Sequence, residues 1–218
     1  MKIIKEKPLS INVKNKLIKN FLNTSMGILI RNWLFQGFIY MENCERLLKL
    51  LLSLLLTIIF YIPLHIFLNL NFTLTFFISF FTSHTINWLF NGHFFVLMRY
   101  FGYKTSVEYL YNYLKRLEEI YRNNKYIDSI AIFGSISRGN LKTTSDIDVR
   151  FIPYDGLVNI LFTLLIAIKE RIFAFMHKIP LDLYVITKSN SLQKIRDDEI
   201  NSAIVIKKGK KLEKWLGY

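Results

Sequence analysis

The sequence predicts an α+β protein: a small mixed sheet with flanking helices, preceded by an α-helical membrane hairpin. From Leu50 to Met98 the chain contains no Asp, Glu, Lys or Arg. After this stretch, apolar segments of strand length alternate with segments of helical period. The chain of 218 residues is 52% hydrophobic yet carries a formal net charge of +13. This combination is unusual for a soluble domain and suits the anionic surface of a membrane.

The charge-free stretch is long enough for two membrane-spanning helices, because one such helix needs about 20 mainly apolar residues. We expect these helices at Leu47–Leu68 and Phe72–Leu97, within a hairpin segment of residues 46–101, with a kink at Pro63. A soluble protein of this size could not cover two helices that lack a charged face. Lys and Arg flank the hairpin on both sides. The positive-inside rule therefore predicts a multi-pass protein of the cell membrane, with both termini and the following domain in the cytoplasm.

Residues 1–45 form a basic, partly amphipathic N-terminal segment. Its apolar positions fit two alternatives, which composition leaves open: interfacial helices on the membrane, or a helix packed on the following domain. The Lys-rich start lacks the apolar run of a secretory signal. The single cysteine, Cys44, cannot form an internal disulfide and fits a reducing compartment.

Residues 102–218 are predicted to form the α+β domain. The apolar pattern indicates a helix, two strands, a second helix and two further strands. In chain order these elements are Thr105–Asn123, Asp128–Phe133, Asp146–Ile152, Leu157–His177, Leu181–Ile186 and Ala203–Ile206.

A polar turn and two acidic residues lie at the ends of the first two predicted strands. Gly134 allows a tight backbone turn beside phosphate oxygens, and Ser135 offers both an N–H and a hydroxyl. Arg138 follows closely enough to bind a phosphate. Asp146 and Asp148 are two residues apart on a strand, so both side chains project from one face and are close enough to share a divalent cation. The pattern predicts a site for a nucleoside triphosphate and a metal.

These residues resemble the signature of the DNA polymerase beta-like nucleotidyltransferase superfamily, and their compact spacing is most similar to the minimal and kanamycin-type branches. The superfamily carries a third acidic residue on a later strand, where this chain has Asp182. The resemblance implies two Mg²⁺ ions, or Mn²⁺ in their place, and ATP or another nucleoside triphosphate as substrate. It also implies transfer of a nucleoside monophosphate to an acceptor hydroxyl, with release of pyrophosphate. The implied catalytic and metal-binding residues are Asp146, Asp148 and Asp182, and the implied nucleotide-binding residues are Gly134, Ser135 and Arg138.

Other functions stay open. An antitoxin-type or regulatory module would use the same fold to act through a protein partner. A nucleic-acid end-modifying enzyme is a third alternative, because residues 207–214 form a Lys-rich tail. Nucleic acid is the less favoured partner, since a run of Lys is more often a solvated or lipid-facing surface. The acceptor is a lipid-linked molecule, a small molecule or a protein; the membrane anchor alone favours the first.

A polar cluster interrupts the second predicted span and consists of His84, Asn87, Asn91 and His93. The first three lie on one helical face by their spacing. The cluster either binds a ligand such as a lipid headgroup or makes hydrogen bonds within the hairpin. The second alternative is favoured, because neutral polar residues often serve helix packing.

Overall fold

The structure, a computed structural model, describes residues 20–22, 24–38, 40–68, 70–91, 93–195 and 197–216. Before the sheet lie helices α1 (Ser25–Phe35), α2 (Asn43–Leu68), α3 (Phe72–Asn91), α4 (Phe94–Met98) and α5 (Val107–Tyr121), with a 3₁₀ turn at Arg99–Phe101 between α4 and α5. The sheet region comprises β1 (Ile127–Phe133), β2 (Ile147–Pro153), α6 (Leu157–Met176), β3 (Leu181–Val185), a 3₁₀ helix (Ser189–Lys194), α7 (Asp197–Asn201), β4 (Ile204–Lys207) and α8 (Lys210–Leu216).

The described strands form one mixed sheet in the order β3-β2-β1-β4. Strand β1 is antiparallel to both β2 and β4, whereas β2 and β3 run parallel. Helix α6 lies in the connection between β2 and β3. Two neighbouring parallel strands need such a long crossover. The predicted α+β fold, with a mixed sheet and flanking helices, is confirmed.

Apolar layers cover both faces of the sheet. On one face, Leu117 of α5 and Leu164 of α6 belong to the larger buried cluster. On the other face, Leu212 of α8 packs in a cluster with Phe133. Because successive strand residues point to opposite faces, β1 contributes to both layers. The C-terminal end of β1 lies beside the N-terminal ends of β2 and β3, and the predicted site residues are at this edge.

Helices α2 and α3 pack along each other. Among the described residues one segment, Asn43–Phe67, is long and apolar enough to cross a membrane, and only 6% of its apolar window is buried. Helix α3 is long enough but not apolar enough to meet the same criterion, because its Ser, Thr, His and Asn residues lower its hydropathy. The predicted helix Phe72–Leu97 was wrong at its C-terminal end: α3 ends at Asn91, and His93 has a left-handed φ of 59° that turns the chain into α4.

The α2–α3 pair has polar side chains inside and large apolar side chains outside. Between the helices, the hydroxyls of Thr57 and Ser83 are 2.7 Å apart, and Asn87 Nδ2 donates to Ser53 Oγ at 2.7 Å. This is the reverse of the pattern in a soluble helical pair. The exposed apolar residues include Leu50, Leu54, Ile58, Ile62, Phe67, Phe72, Phe76 and Phe81.

Helix α1 packs against α3. Trp88 Nε1 donates to Asn32 Oδ1 at 2.7 Å, and His84 Nε2 lies 2.9 Å from the Trp33 carbonyl oxygen. Asn87 therefore has a partner within the hairpin, as the favoured alternative expects, whereas His84 bonds to α1 and Asn91 Oδ1 accepts from Arg171 of α6. Met26 of α1 is exposed, so this helix also presents an apolar surface outward. The amphipathic pattern predicted within residues 1–19 lies outside the described residues.

Two carboxylates, one buried and one half-buried, join the base of the hairpin to the sheet. Glu45 of α2 pairs with Arg171 of α6, and both side chains are almost fully buried. The other oxygen of Glu45 accepts from the Val185 N–H at 3.3 Å. Glu42, just before α2, accepts from the backbone N–H of Thr187 at 3.0 Å and from its hydroxyl. The hairpin and the sheet therefore share a polar interface in addition to their covalent connection.

Candidate active site

Three acidic side chains meet where β2 and β3 begin. Asp148 on β2 pairs in parallel register with Asp182 on β3, so the two are neighbours on one face of the sheet. Asp146 directly precedes β2. The side chains are 15%, 21% and 20% exposed for Asp146, Asp148 and Asp182, so each is partly shielded from water. The structure brings the three predicted acidic residues together.

Crowding perturbs the acidity of these carboxyls. Burial raises the pKa of Asp148 well above its ordinary value, and the charges of Asp146 and Asp182 raise it further. Burial also raises the pKa of Asp146. Burial acts in the same direction on Asp182, but His93 and Arg150 outweigh it and lower the pKa of Asp182 to about 2. Carboxyls whose pKa values are pushed apart in this way are typical of functional sites.

Two guanidinium groups face the acids. Arg150 Nη2 is 3.5 Å from Asp182 Oδ2 and 4.0 Å from Asp148 Oδ1. Arg99, in the turn after α4, forms an ion pair with Asp146. Sequence reasoning named neither arginine as a site residue. The i, i+2 spacing of Asp148 and Arg150 could have revealed the first, because both lie on one face of β2. No local signal connects Arg99 with Asp146.

The turn after β1 lies directly against the acids. Gly134 has a φ of +82°, and a Cβ at this position would be 2.1 Å from Asp148 Oδ2. Only glycine satisfies both the left-handed backbone and this close approach. Ser135 Oγ is buried and has no hydrogen-bond partner among the described residues. A buried hydroxyl without a partner is costly, which suits a ligand that supplies the missing acceptor.

Arg138, predicted to bind a phosphate, has a different partner. It is exposed, and its Nη1 is 2.7 Å from Glu199 Oε1 on α7. The structure therefore pairs Arg138 with a carboxylate outside the three-acid cluster.

His93 is a site residue that sequence reasoning placed elsewhere, in the polar cluster of the hairpin. Its Nδ1 is 3.7 Å from Asp182 Oδ1, and its Nε2 is 3.3 Å from the Leu183 carbonyl oxygen. Burial lowers the pKa of His93 to about 3, despite the opposing charge of Asp182. The imidazole is therefore neutral at physiological pH and faces the third acid from the start of α4.

The donor set suits Mg²⁺ or Mn²⁺, both of which prefer carboxylate oxygens. In the part of the chain that the structure describes, no group of three or more His, Cys, Asp or Glu side chains is arranged to hold a metal. Instead, Asp146 forms an ion pair with Arg99, and Arg150 lies beside the other two carboxylates. The three carboxylates are ligands of the type that these metals bind, provided that the ion pair between Asp146 and Arg99 is broken.

The family model described as "Polymerase beta, Nucleotidyltransferase" matches residues 115–211. This range contains the complete sheet and all six predicted site residues. The match supports the superfamily that the motif resembles; the minimal or kanamycin-type branch stays a prediction. A search of curated proteins found no match. Residues 115–211 are called the nucleotidyltransferase-type domain below.

Proposed function

We propose that this chain is a membrane-anchored nucleotidyltransferase that uses a divalent cation to transfer a nucleoside monophosphate from a nucleoside triphosphate to an acceptor hydroxyl. The observation that carries the proposal is the side-by-side placement of Asp148 and Asp182 against the Gly134 turn. The family match supports nucleotidyl transfer in general. The cation, the membrane anchor and the acceptor are part of the proposal.

Each site residue has a role in this proposal. Asp146, Asp148 and Asp182 would hold Mg²⁺, which neutralises phosphate charge and lowers the pKa of the attacking hydroxyl when it is bound. Ser135 and the backbone N–H groups of its turn donate to phosphate oxygens that do not react. Arg150 Nη1 donates to the Asp182 carbonyl oxygen at 2.8 Å, which holds its guanidinium between the neighbouring carboxylates and reduces their repulsion.

The distribution of polar and apolar side chains on the α2–α3 hairpin supports membrane anchoring. Hydrogen bonds such as Thr57–Ser83 lie between α2 and α3, while Leu and Phe side chains face outward. In water, this arrangement would expose a large apolar surface; in lipid, the polar groups between the helices bond to each other and most outward side chains are apolar. We propose that both helices insert, although α3 is the less apolar of the two. The positive flanks then place the nucleotidyltransferase-type domain in the cytoplasm, where nucleoside triphosphates are available.

The position of the site favours an acceptor at the membrane surface. His93 and Arg99 follow α3 in the chain and contact the acids, so the site lies at the base of the hairpin. A hydroxyl on a lipid-linked molecule is therefore the acceptor class that we propose. A regulatory module without catalysis is not favoured, because it would gain nothing from a three-carboxylate cluster that costs free energy to bury.

The test uses the full-length chain in membranes with Mg²⁺ and nucleoside triphosphates labelled at the α-phosphate, the phosphate that stays with the transferred group. We expect label in the lipid fraction and expect Asp148→Asn to reduce transfer about 100-fold or more. The matched control is Asp155→Asn, because the Asp155 side chain is 94% exposed and pairs with Lys211. Equal transfer by the Asp148 and Asp155 variants would refute the proposed role of the acids.

A further inference from the structure

The ion pair between Arg99 and Asp146 connects the hairpin to the proposed metal site. Arg99 is the first residue of the 3₁₀ turn after α4, whereas Asp146 precedes β2 in the nucleotidyltransferase-type domain. The side chains are 25% and 15% exposed, so water screens this pair only in part. A carboxylate that is needed as a metal ligand is therefore engaged by a protein cation.

The backbone of Arg99 is fixed, but its side chain has a second partner. The Gly102 N–H donates to the Arg99 carbonyl oxygen at 3.1 Å and closes the turn, with a φ of +89° at Gly102. Arg99 Nη2 is 3.4 Å from the Tyr100 hydroxyl, and the guanidinium carbon is 5.2 Å from the centroid of the Tyr100 ring. The guanidinium therefore has a contact with Tyr100 in addition to its ion pair with Asp146.

The other arginines near the site are engaged differently. Arg138 pairs with Glu199, outside the three-acid cluster. Arg150 donates to the carbonyl oxygens of Val149 and Asp182, both at 2.8 Å, and these bonds hold it within the sheet. Arg150 also lies 3.5 Å from Asp182 and 4.0 Å from Asp148, whereas the carboxylate partner of Arg99 is Asp146.

We propose that Arg99 is a triphosphate-binding residue that the hairpin supplies to the nucleotidyltransferase-type domain. In the substrate-free protein it neutralises Asp146. When a divalent cation is bound at the carboxylates, Arg99 exchanges Asp146 for a non-reacting phosphate oxygen, to which a guanidinium donates two hydrogen bonds. The exchange makes and breaks no covalent bond. This inference rests on the proposed function and adds that the nucleotide site is incomplete without the hairpin.

The test measures two affinities of the full-length protein in lipid nanodiscs. Mn²⁺ alone is titrated by the electron paramagnetic resonance signal of the free ion, and magnesium tripolyphosphate by calorimetry. For Arg99→Gln we expect Mn²⁺ alone to bind about tenfold more tightly, because a competing positive charge is removed. We expect magnesium tripolyphosphate to bind about tenfold more weakly, because a phosphate ligand is lost. Opposite changes in the two affinities are the signature of an exchanged partner.

Two further variants separate this role from a structural one. Arg99→Lys keeps the charge and should lie between wild type and Arg99→Gln in both affinities. Arg122→Gln is the matched control, because Arg122 is exposed and pairs with Glu118 within α5; both affinities should stay unchanged. If Arg99→Gln weakens both ligands or changes neither, the role of Arg99 is refuted while the metal site stands. If wild type binds Mn²⁺ no better than Asp148→Asn, the proposed function fails as well.

Discussion

Replacing Gly134 with alanine tests whether the turn after β1 serves the site or only the fold. The added Cβ would lie 2.1 Å from Asp148 Oδ2, far inside van der Waals contact, and the backbone has a φ of +82°. Gly139 provides a matched control in the same turn region. Its φ is +69°, but a Cβ there would meet nothing within 4 Å. Both substitutions place an alanine in a left-handed backbone conformation, but only Gly134→Ala displaces the Asp148 carboxylate.

The expected effects differ accordingly. A left-handed alanine costs about 1–2 kcal/mol, so both variants should lose about that much free energy of unfolding. In Gly134→Ala the Asp148 carboxylate must also move by roughly 1 Å to restore contact distance, and a misplacement of that size costs about 100-fold in rate. We therefore expect transfer to fall about 100-fold in Gly134→Ala and to change by less than about threefold in Gly139→Ala.

Two assays on detergent-solubilised protein separate these effects: urea unfolding followed by tryptophan fluorescence, and transfer of α-labelled nucleotide. Similar losses of stability with unequal losses of transfer would support the placement of Asp148 against the turn. Equal transfer by the two alanine variants at equal stability would show that the close approach has no bearing on the chemistry, and the assignment of Gly134 would be withdrawn.

The remaining predictions concern the fold and its pH dependence. Glu170 is fully buried and accepts hydrogen bonds from Arg116 at 2.7 and 3.2 Å, so Glu170→Ala should lower the free energy of unfolding by about 3–5 kcal/mol in urea titrations. The folded-state pKa of Asp148 is raised, so the folded, metal-free protein binds more protons than the unfolded chain. Its unfolding free energy should therefore fall as the pH rises above about 4, and Asp148→Asn should make this fall smaller. Ser83→Ala removes the contact with Thr57 between α2 and α3 and should cost about 1 kcal/mol, measured by unfolding in mixed micelles.

Controls accompany each of these measurements. Glu118→Ala removes an exposed ion pair on α5 and should cost less than about 1 kcal/mol; a loss as large as that of Glu170→Ala would contradict the effect of burial. A metal-free stability that rises with pH above about 4 would contradict the direction assigned to Asp148, because the raised pKa has the opposite sign of linkage. An unchanged Ser83→Ala protein would show that the inter-helix hydroxyl pair does not stabilise the hairpin.

The acidic cluster could be predicted from the sequence because its geometry is local. Asp146 and Asp148 are separated by two residues at the start of a strand, and Asp182 follows the apolar helix that returns the chain to a parallel neighbour. Side chains two residues apart on a strand lie on the same face of the sheet, and one helical crossover places the next parallel strand beside the first. These two rules are enough to bring such residues together. The fold class followed from the same periodicities.

The contributions of the hairpin could not be predicted in this way. His93 and Arg99 reach the acids only because the hairpin docks on the sheet, and docking depends on contacts far apart in sequence. The end of α3 was missed for a related reason. Phe94 and the apolar residues after it are as hydrophobic as a lipid-facing helix, so their composition does not reveal the turn at His93, whose imidazole lies 3.7 Å from Asp182. Glu170 has no sequence signal beyond a charge in an apolar helix.

The carboxylates at the base of the hairpin have a practical consequence. Removing the hairpin to obtain a shorter protein is a common laboratory shortcut, and here it would remove Glu42 and Glu45 together with α2 and α3. Arg171 would then lose Glu45 as its counterion, and the Val185 and Thr187 amides would lose their carboxylate acceptors. Breaking a buried ion pair costs several kcal/mol, a large part of the margin by which a small domain stays folded. Biochemistry on this chain therefore calls for detergent, nanodiscs or vesicles from the outset.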